Sequence, residues 1–133
     1  MNVGFFTNLI HKLRKKKDKP LIITGDLNVA HKNIDVYFML SDLPGCSVKE
    51  RIAFNCFLKE FNLVDCFREL YPSKIKFTFW SNRQHQRLYN MGLRLDYFLI
   101  SRNAFSSVID CRVKNNVKGS DHCPIELELD LKF

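Results

Sequence analysis

The end of the chain constrains the fold most. Ile125, Leu127, Leu129, Leu131 and Phe133 alternate strictly with Glu126, Glu128, Asp130 and Lys132. Side chains switch faces at every residue of a strand, so this segment is a strand with one apolar and one charged face. Such a strand needs a sheet, and other stretches are suited to supply one. Leu21-Ile22-Ile23 follows Pro20 and reads as a buried strand ending at Gly25, where the chain bends or lets something approach its backbone. Leu93 to Ile100 reads as a strand with Leu93, Leu95, Tyr97 and Leu99 on one face and Arg94, Asp96, Phe98 and Ile100 on the other. Phe98 and Ile100 imply cover on that second face. Asp96 therefore sits in a sheet interior or at its mouth, where an ionised acid needs a partner. Val108 to Val113 suits a further strand, and Phe77-Thr78-Phe79-Trp80 is extended and aromatic.

Helices come from a different period. Phe6, Leu9, Ile10 and Leu13 follow the i, i+3, i+4, i+7 rule. A second helix is announced by the capping-box pair Ser47 and Glu50; Phe54, Phe57, Leu58 and Phe61 line one face, and Asn62 is its stop. Ala30 to Gly45 has no helical or strand period and reads as a loop. Ser81 to Asn90 is a polar, basic loop closed by Met91-Gly92. Helices mixed with strands give an α/β (α+β) domain, and 133 residues, 46% of them hydrophobic, suit one domain.

No apolar run is long enough to span a bilayer. Five cysteines without a CxxC pair suggest neither a zinc site nor a disulfide framework, which favours a reducing intracellular compartment. A net charge of +7 favours a polyanionic partner, nucleic acid first. One basic cluster (Lys12, Arg14 to Lys17, Lys19) lies where a helix ends and serves equally to complement its dipole. A looser one, Arg83, His85, Arg87 and Arg94, has aromatic neighbours and is the better candidate for contact.

The chemistry gathers at strand ends. Asp26 and Asn28 share one side if the extended geometry persists, a plausible seat for a phosphate and a water; the simpler alternative is an Asx turn. Gly119-Ser120-Asp121-His122-Cys123-Pro124 sets an acid beside an imidazole just before the last strand. A buried Asp fixes an imidazole's tautomer and orientation, so Asp96 is expected to orient His122 and leave its other nitrogen for a phosphate or water.

Gly25-Asp26-Leu27-Asn28-Val29-Ala30-His31, Phe77-Thr78-Phe79-Trp80, Gly92-Leu93-Arg94-Leu95-Asp96-Tyr97-Phe98 and Gly119-Ser120-Asp121-His122-Cys123-Pro124-Ile125, in that order, resemble the exonuclease III class of apurinic/apyrimidinic endonucleases. The wider group is the endonuclease/exonuclease/phosphatase superfamily. The resemblance implies the C-terminal half of a four-layer α/β/β/α sandwich, its sheet mostly antiparallel or mixed and flanked by helices. It implies a Mg²⁺ (or Mn²⁺) dependent phosphodiesterase that cuts double-stranded DNA 5′ of an abasic site in base excision repair, in the nucleus, mitochondrion or cytoplasm. By matching motif, Asp26 would activate or position the attacking water and Asn28 would hold it or the phosphate. His122 would contact the scissile phosphate with Asp96 as its orienting partner, the base being left open. Asp121 would be a metal or outer ligand. Phe79, Leu93 and Leu95 match positions against the extruded sugar, with Trp80 beneath them, and Arg83 and Arg87 would grip the flanking backbone. A baseless sugar costs little to flip, and an apolar pocket rejects one that keeps its base.

The departures are equally specific. The family has a further tryptophan where this chain has Leu93. Its asparagine-rich, phosphate-contacting loop is replaced by apolar Val36 to Gly45, and its acidic position after Ala-His by Lys32-Asn33. The family's metal-binding glutamate, a catalytic tyrosine and one of two sheets lie in a half with no counterpart here. One sheet face is then expected to need cover from a missing N-terminal half or another chain. Two other readings stay open: an inactive DNA-binding or interaction fragment, and a superfamily enzyme for another phosphoester.

Overall fold

The structure is a computed structural model that describes residues 19–41 and 43–130, together with 8, 11 and 12. The helix expected from Phe6, Leu9, Ile10 and Leu13, the basic run 14–17 and the strand's end at 131–133 lie outside the described residues.

Three strands form one antiparallel sheet in the order β1-β3-β2: β1 (Ile22–Asp26), β2 (Leu63–Asp65) and β3 (Asp96–Ser101). β4 (Val108–Val113) and β5 (Ile125–Leu129) form an antiparallel hairpin. The expected alternation holds on β5, with Glu126 and Glu128 exposed and Ile125, Leu127 and Leu129 partly covered.

Helix α1 (Val48–Glu60) starts where its capping box requires: Ser47 Oγ accepts from the Glu50 amide, and Glu50 accepts from the Ser47 amide. Phe54, Phe57 and Phe61 are buried against Leu27, Val29, Leu63, Tyr97 and Leu99, which forms the first core. Each ring so covered contributes roughly 1.5–3 kcal/mol. Asn62, in the left-handed region (φ 48°), ends the helix as expected.

The opposite sheet face is partly covered. Ile100 is buried with Val64, Cys66, Phe67 and Cys111, with Leu127 and Leu129 packed around them. Among the described residues, cover runs out over β1, where Ile22 is 41% exposed and Thr24, across from half-buried Phe98, is exposed. The open face is thus narrower than expected, because the β4–β5 hairpin supplies cover.

Two sequence readings need correction. The strand expected from Leu93 begins only at Asp96. Backbone groups just before it are committed elsewhere: Leu93 exchanges hydrogen bonds with Phe79, and the Arg94 amide donates to Asp35 O at 2.8 Å. Arg94, grouped above with the basic surface residues, is fully buried. Its guanidinium meets Asp35 at 2.8 and 3.0 Å and Asp65 at 2.6 and 3.2 Å, while Arg68 Nη2 also donates to Asp35. Burial opposes ionisation of Asp35, but Arg94 and Arg68 overcome it and hold that carboxyl below its usual range. This four-charge cluster ties the start of β3 to the turn at 33–35 and to the short helix α2 (Cys66–Leu70), which Asp65 caps.

Candidate active site

β1 delivers Asp26 to the sheet's end, directly across from Asp96 of β3. Two carboxylates opposed in a ladder repel each other, so this placement costs stability unless something compensates. Asp96 has its compensation: Oδ2 lies 2.8 Å from His122 Nδ1. With Nδ1–H donating to the carboxylate, His122 Nε2 is the remaining ring nitrogen and an acceptor in the neutral form. The sequence expectation that these two residues meet is met by the geometry.

The 26–28 segment follows the simpler alternative. Asn28 is in the left-handed region (φ 53°), and its amide donates to Asp26 Oδ1 at 2.8 Å. This is an Asx turn, so the extended geometry that would align the two side chains ends at Asp26. Gly25 is needed for its backbone angle, φ 132°, since a Cβ there would meet nothing within 4 Å. Gly45 is needed for closeness: a Cβ would come within 2.6 Å of Asn28 O. Ala30 N donates to Gly45 O at 2.8 Å, and Tyr97 Oη donates to Val29 O at 2.6 Å, which fixes the turn from two sides.

Residues 78–80 are the frame for the rest. Thr78 Oγ1 accepts from the amides of Leu95 and Asp96 at 2.9 and 3.1 Å. Phe79 bridges to Leu93 and to His122, and its ring lies 5.0 Å from the imidazole. The Trp80 amide donates to Asp121 O, and the Cys123 amide to Thr78 O, both at 2.8 Å. Ser120 Oγ accepts from the His122 amide and donates to Asp121 Oδ1, each at 3.2 Å.

The other expected contact residues divide. Phe79 is half-buried beside His122, whereas Leu93 and Leu95 are buried with Ala30, Val36, Leu40 and Cys46. They back the site and do not line an opening. Trp80 is buried too, as expected of a support. Arg83 is exposed on a single 3₁₀ turn, with no side-chain partner among the described residues. Arg87, expected to grip the DNA backbone, is half-buried, and its guanidinium is engaged within the chain. Its guanidinium stacks 4.6 Å over Trp80 and donates to the carbonyls of Ser120 (2.6 Å), Asn115 (3.3 Å) and Val117. It clamps the loop that carries Asp121 and His122. Thr78 and Arg87 in this supporting role escaped sequence reasoning, because neither spacing nor charge distinguishes a residue that holds backbone.

The described residues supply single carboxylates and no complete seat for a metal. Among the described residues no group of three or more His, Cys, Asp or Glu is placed to hold an ion. Asp26 already accepts from Asn28, and Asp121 from Ser120. The concavity of about 330 Å³ beside α1 and α2 lies elsewhere, lined by residues that include His31, Asn55, Lys59 and Asp65, and by none of the site residues.

The sequence profile of the Endonuclease/Exonuclease/phosphatase family matches residues 7–122. The chain belongs to that family. Within it, its relatives place it in the exonuclease III class. It is 40% identical over 126 residues to an exodeoxyribonuclease of Bacillus subtilis (strain 168), covering 92% of this chain and 50% of that protein. It is 42% identical over 114 residues to the DNA repair nuclease APEX1 of Danio rerio, covering 84% and 36%. Among solved structures, the AP endonuclease of Leishmania major superposes with a TM-score of 0.80 at 38% identity, covering 84% of this chain and 35% of that one. The 3′ phosphatase NExo (D146N) from Neisseria, bound to product DNA hairpin, gives 0.87 at 25% identity, covering 97% and 52%. The chain thus spans half or less of the length of these curated relatives.

Proposed function

We propose that this chain supplies the phosphate-contacting half of a DNA repair phosphodiesterase that cuts the backbone 5′ of an abasic site, with 3′ exonuclease or 3′ phosphodiesterase activity as related chemistry. The observation that carries this reading is the Asp96–His122 pair, 2.8 Å apart, set across the ladder from Asp26. Asp96 holds the ring so that Nε2 takes a proton from water or, once protonated, donates to a phosphate oxygen. Asp26, at the mouth of the sheet, positions the attacking water. Asn28 presents an exposed amide beside it. Phe79 borders the imidazole as the apolar wall for a baseless sugar, and Arg83 offers a free cation for the flanking backbone.

Endonucleases of this family depend on divalent metal in general, and Mg²⁺ or Mn²⁺ is the expected ion for the whole enzyme, where it would polarise the phosphate. Asp121 is this chain's candidate contribution to its seat. Because the described residues hold no seat by themselves, every step above is assigned to side chains. The same observation favours a second reading, in which this chain alone binds DNA without turnover. Double-stranded DNA with abasic sites is the proposed partner and the nucleus the matching location; no helix among the described residues is long and apolar enough to cross a membrane.

The test is incubation of the purified chain with Mg²⁺ and a duplex carrying one abasic-site analogue, read on a denaturing gel. Incision that falls by about 10²–10⁴ in His122→Ala supports the assigned role. Absence of incision at every metal concentration, with salt-sensitive DNA binding retained, decides for the second reading.

A further inference from the structure

The concavity of about 330 Å³ beside α1 and α2 has no part in the site above, and its size suits a small molecule. Folding leaves two polar atoms at its wall unprovided. His31 and Arg68 both line it, and both are at least nine-tenths buried, with 9% and 4% of their surface exposed. His31 Nδ1 and Arg68 Nε have no hydrogen-bond partner, and neither is open to solvent. Buried polar atoms are almost always paired, so two orphans at one concavity point to a group that completes them.

The bonds already made define what each orphan lacks. His31 Nε2 donates to Asn55 Oδ1 at 2.7 Å, so the neutral ring keeps Nδ1 as an acceptor in want of a donor. On Arg68, Nη1 donates to the carbonyls of Tyr71, Pro72 and Lys74, and Nη2 to Asp35. The Nε–H is the donor left over, and it wants an acceptor. A ligand that carries both an acidic hydroxyl and an anionic oxygen answers the two.

Charge narrows the class. Asp35 and Asp65 balance Arg68 and Arg94 behind the wall. Around the concavity this leaves exposed Lys32, Lys59 and Arg102 against Glu69, which pairs with Arg102 at 3.7 Å. Such an excess of positive charge attracts an anion. A carboxylate or a sulfate offers acceptors alone near neutral pH. A phosphate monoester, with a second pKa of about 6, carries more than one negative charge and still has a P–OH proton in its monoanion. Half-buried Leu58 offers an apolar surface to an organic substituent.

We propose that the concavity beside α1 and α2 binds a small phosphate monoester, its phosphate received by His31 and Arg68 and its charge met by Lys32 and Lys59. Side-chain rotation is common where a partner binds, and it brings the shielded Nδ1 and Nε onto the ligand. The site stands independently of the nuclease reading, since its lining includes none of Asp26, Asp96 and His122.

The experiment is isothermal titration calorimetry of the purified chain at about pH 6.5, near the second phosphate ionisation, without metal. The probes are phenyl phosphate, inorganic phosphate and sulfate. Both phosphates should bind at one site per chain, phenyl phosphate the more tightly, and sulfate about tenfold more weakly, because it has no proton for His31. Replacing both exposed lysines, Lys32→Ala with Lys59→Ala, should weaken phosphate about tenfold or more, with circular dichroism and the thermal midpoint unchanged. His31→Phe, which keeps the ring and removes Nδ1, should close the gap between phosphate and sulfate, a readout that the loss of surface charge does not move. Sulfate bound as tightly as phosphate by the parent chain overturns the proposal, since exposed cations then attract any anion. Phosphate affinity lost in His122→Ala and kept in the lysine variant also overturns it, placing the anion at the Asp96–His122 pair. Phosphate held by the lysines without any incision of abasic duplex keeps this site and removes the nuclease; incision without phosphate binding here does the reverse.

Discussion

Removing the Asp35 carboxylate should damage the chain more than any surface charge does. Asp35 has no exposed area and accepts from Nε and Nη2 of Arg94 and from one arm of Arg68. In Asp35→Ala the buried guanidinium of Arg94 keeps only Asp65, and that of Arg68 keeps only the carbonyls of Tyr71, Pro72 and Lys74. Breaking a buried ion pair from one side costs about 3–5 kcal/mol, because the other charge stays buried without its partner. Against a total of about 5–15 kcal/mol for an ordinary domain, that is a large fraction. At about 2 kcal/mol per molar urea, the unfolding midpoint falls by about 2 M. The control is Glu126→Gln at the exposed Arg112 cluster, where Arg112 keeps Asp110 and Glu128 and the loss is about 1 kcal/mol or less. Asp35→Asn, which keeps the volume and one acceptor, falls between the two. Far-UV circular dichroism in urea reads all three variants. Equal midpoints for Asp35→Ala and Glu126→Gln would refute the reasoning, since the cluster would then not be dry. The pair proposed to act on phosphate is affected as well: Asp96 follows Arg94 by two residues, so the Asp96–His122 alignment should loosen along with the cluster.

Acid destabilises in two stages. Burial lowers the pKa of His31 against the opposing hydrogen bond that its Nε2 donates to Asn55 Oδ1, so its contribution is complete above about 6.5 and fades as pH falls below that value. Asp35 is also lowered, and its contribution is lost further down, as pH falls below the ordinary carboxylate range. His31→Gln should abolish the first stage of a stability–pH curve and keep the second; a first stage that survives would contradict the assignment. Of the five thiols, exposed Cys56 should react quickly with a disulfide reagent at pH 8. Burial pushes Cys66 and Cys111 up to about 12 and Cys123 up to about 11, so these wait for unfolding, and two or more fast thiols per chain would count against the core described. Arg87→Ala should raise hydrogen exchange at the Val117 and Cys123 amides at least tenfold, with Arg87→Lys intermediate. Unchanged protection there would mean that Trp80 holds the loop without the clamp.

How much of this was legible in the sequence depended on whether local chemistry or distant packing set each feature. The Ser47–Glu50 box and the β5 alternation are local, and both elements stand where their residues put them. β2 and α2 passed unseen: β2 is three residues, all buried, so it shows no alternation, and α2 is too short for a helical period. The Asp capping α2 was a usable signal. The Asp96–His122 pair could be inferred because each sits at a strand end with a polar group to satisfy. Arg94 could not be placed, because its charge suggests the surface and only Asp35 and Asp65, remote in sequence, make its burial tolerable. Asp26-Leu27-Asn28 admitted both strand and turn, and the left-handed Asn28 decided for the turn.

The frame formed by Thr78, Phe79 and Trp80 also bears on the order of folding. Thr78 is 18 residues from Asp96, which it anchors, and Asp96 is 26 residues from His122. None of these contacts is local, so each must wait for loop closure. α1 with Phe54, Phe57 and the Phe61 that follows it can condense early, while Thr78 has no Asp96 amide to hold until β3 docks. Trp80 and Phe79 in turn have nothing to grip until the segment before β5 arrives. On the ribosome, the pieces of the site would emerge in the order Asp26, Asp96, His122 and stay uncoupled until the last of them is free. The Asp96–His122 pairing in this sense waits on contacts distant in sequence, and a nascent chain that has formed its helical core still lacks it.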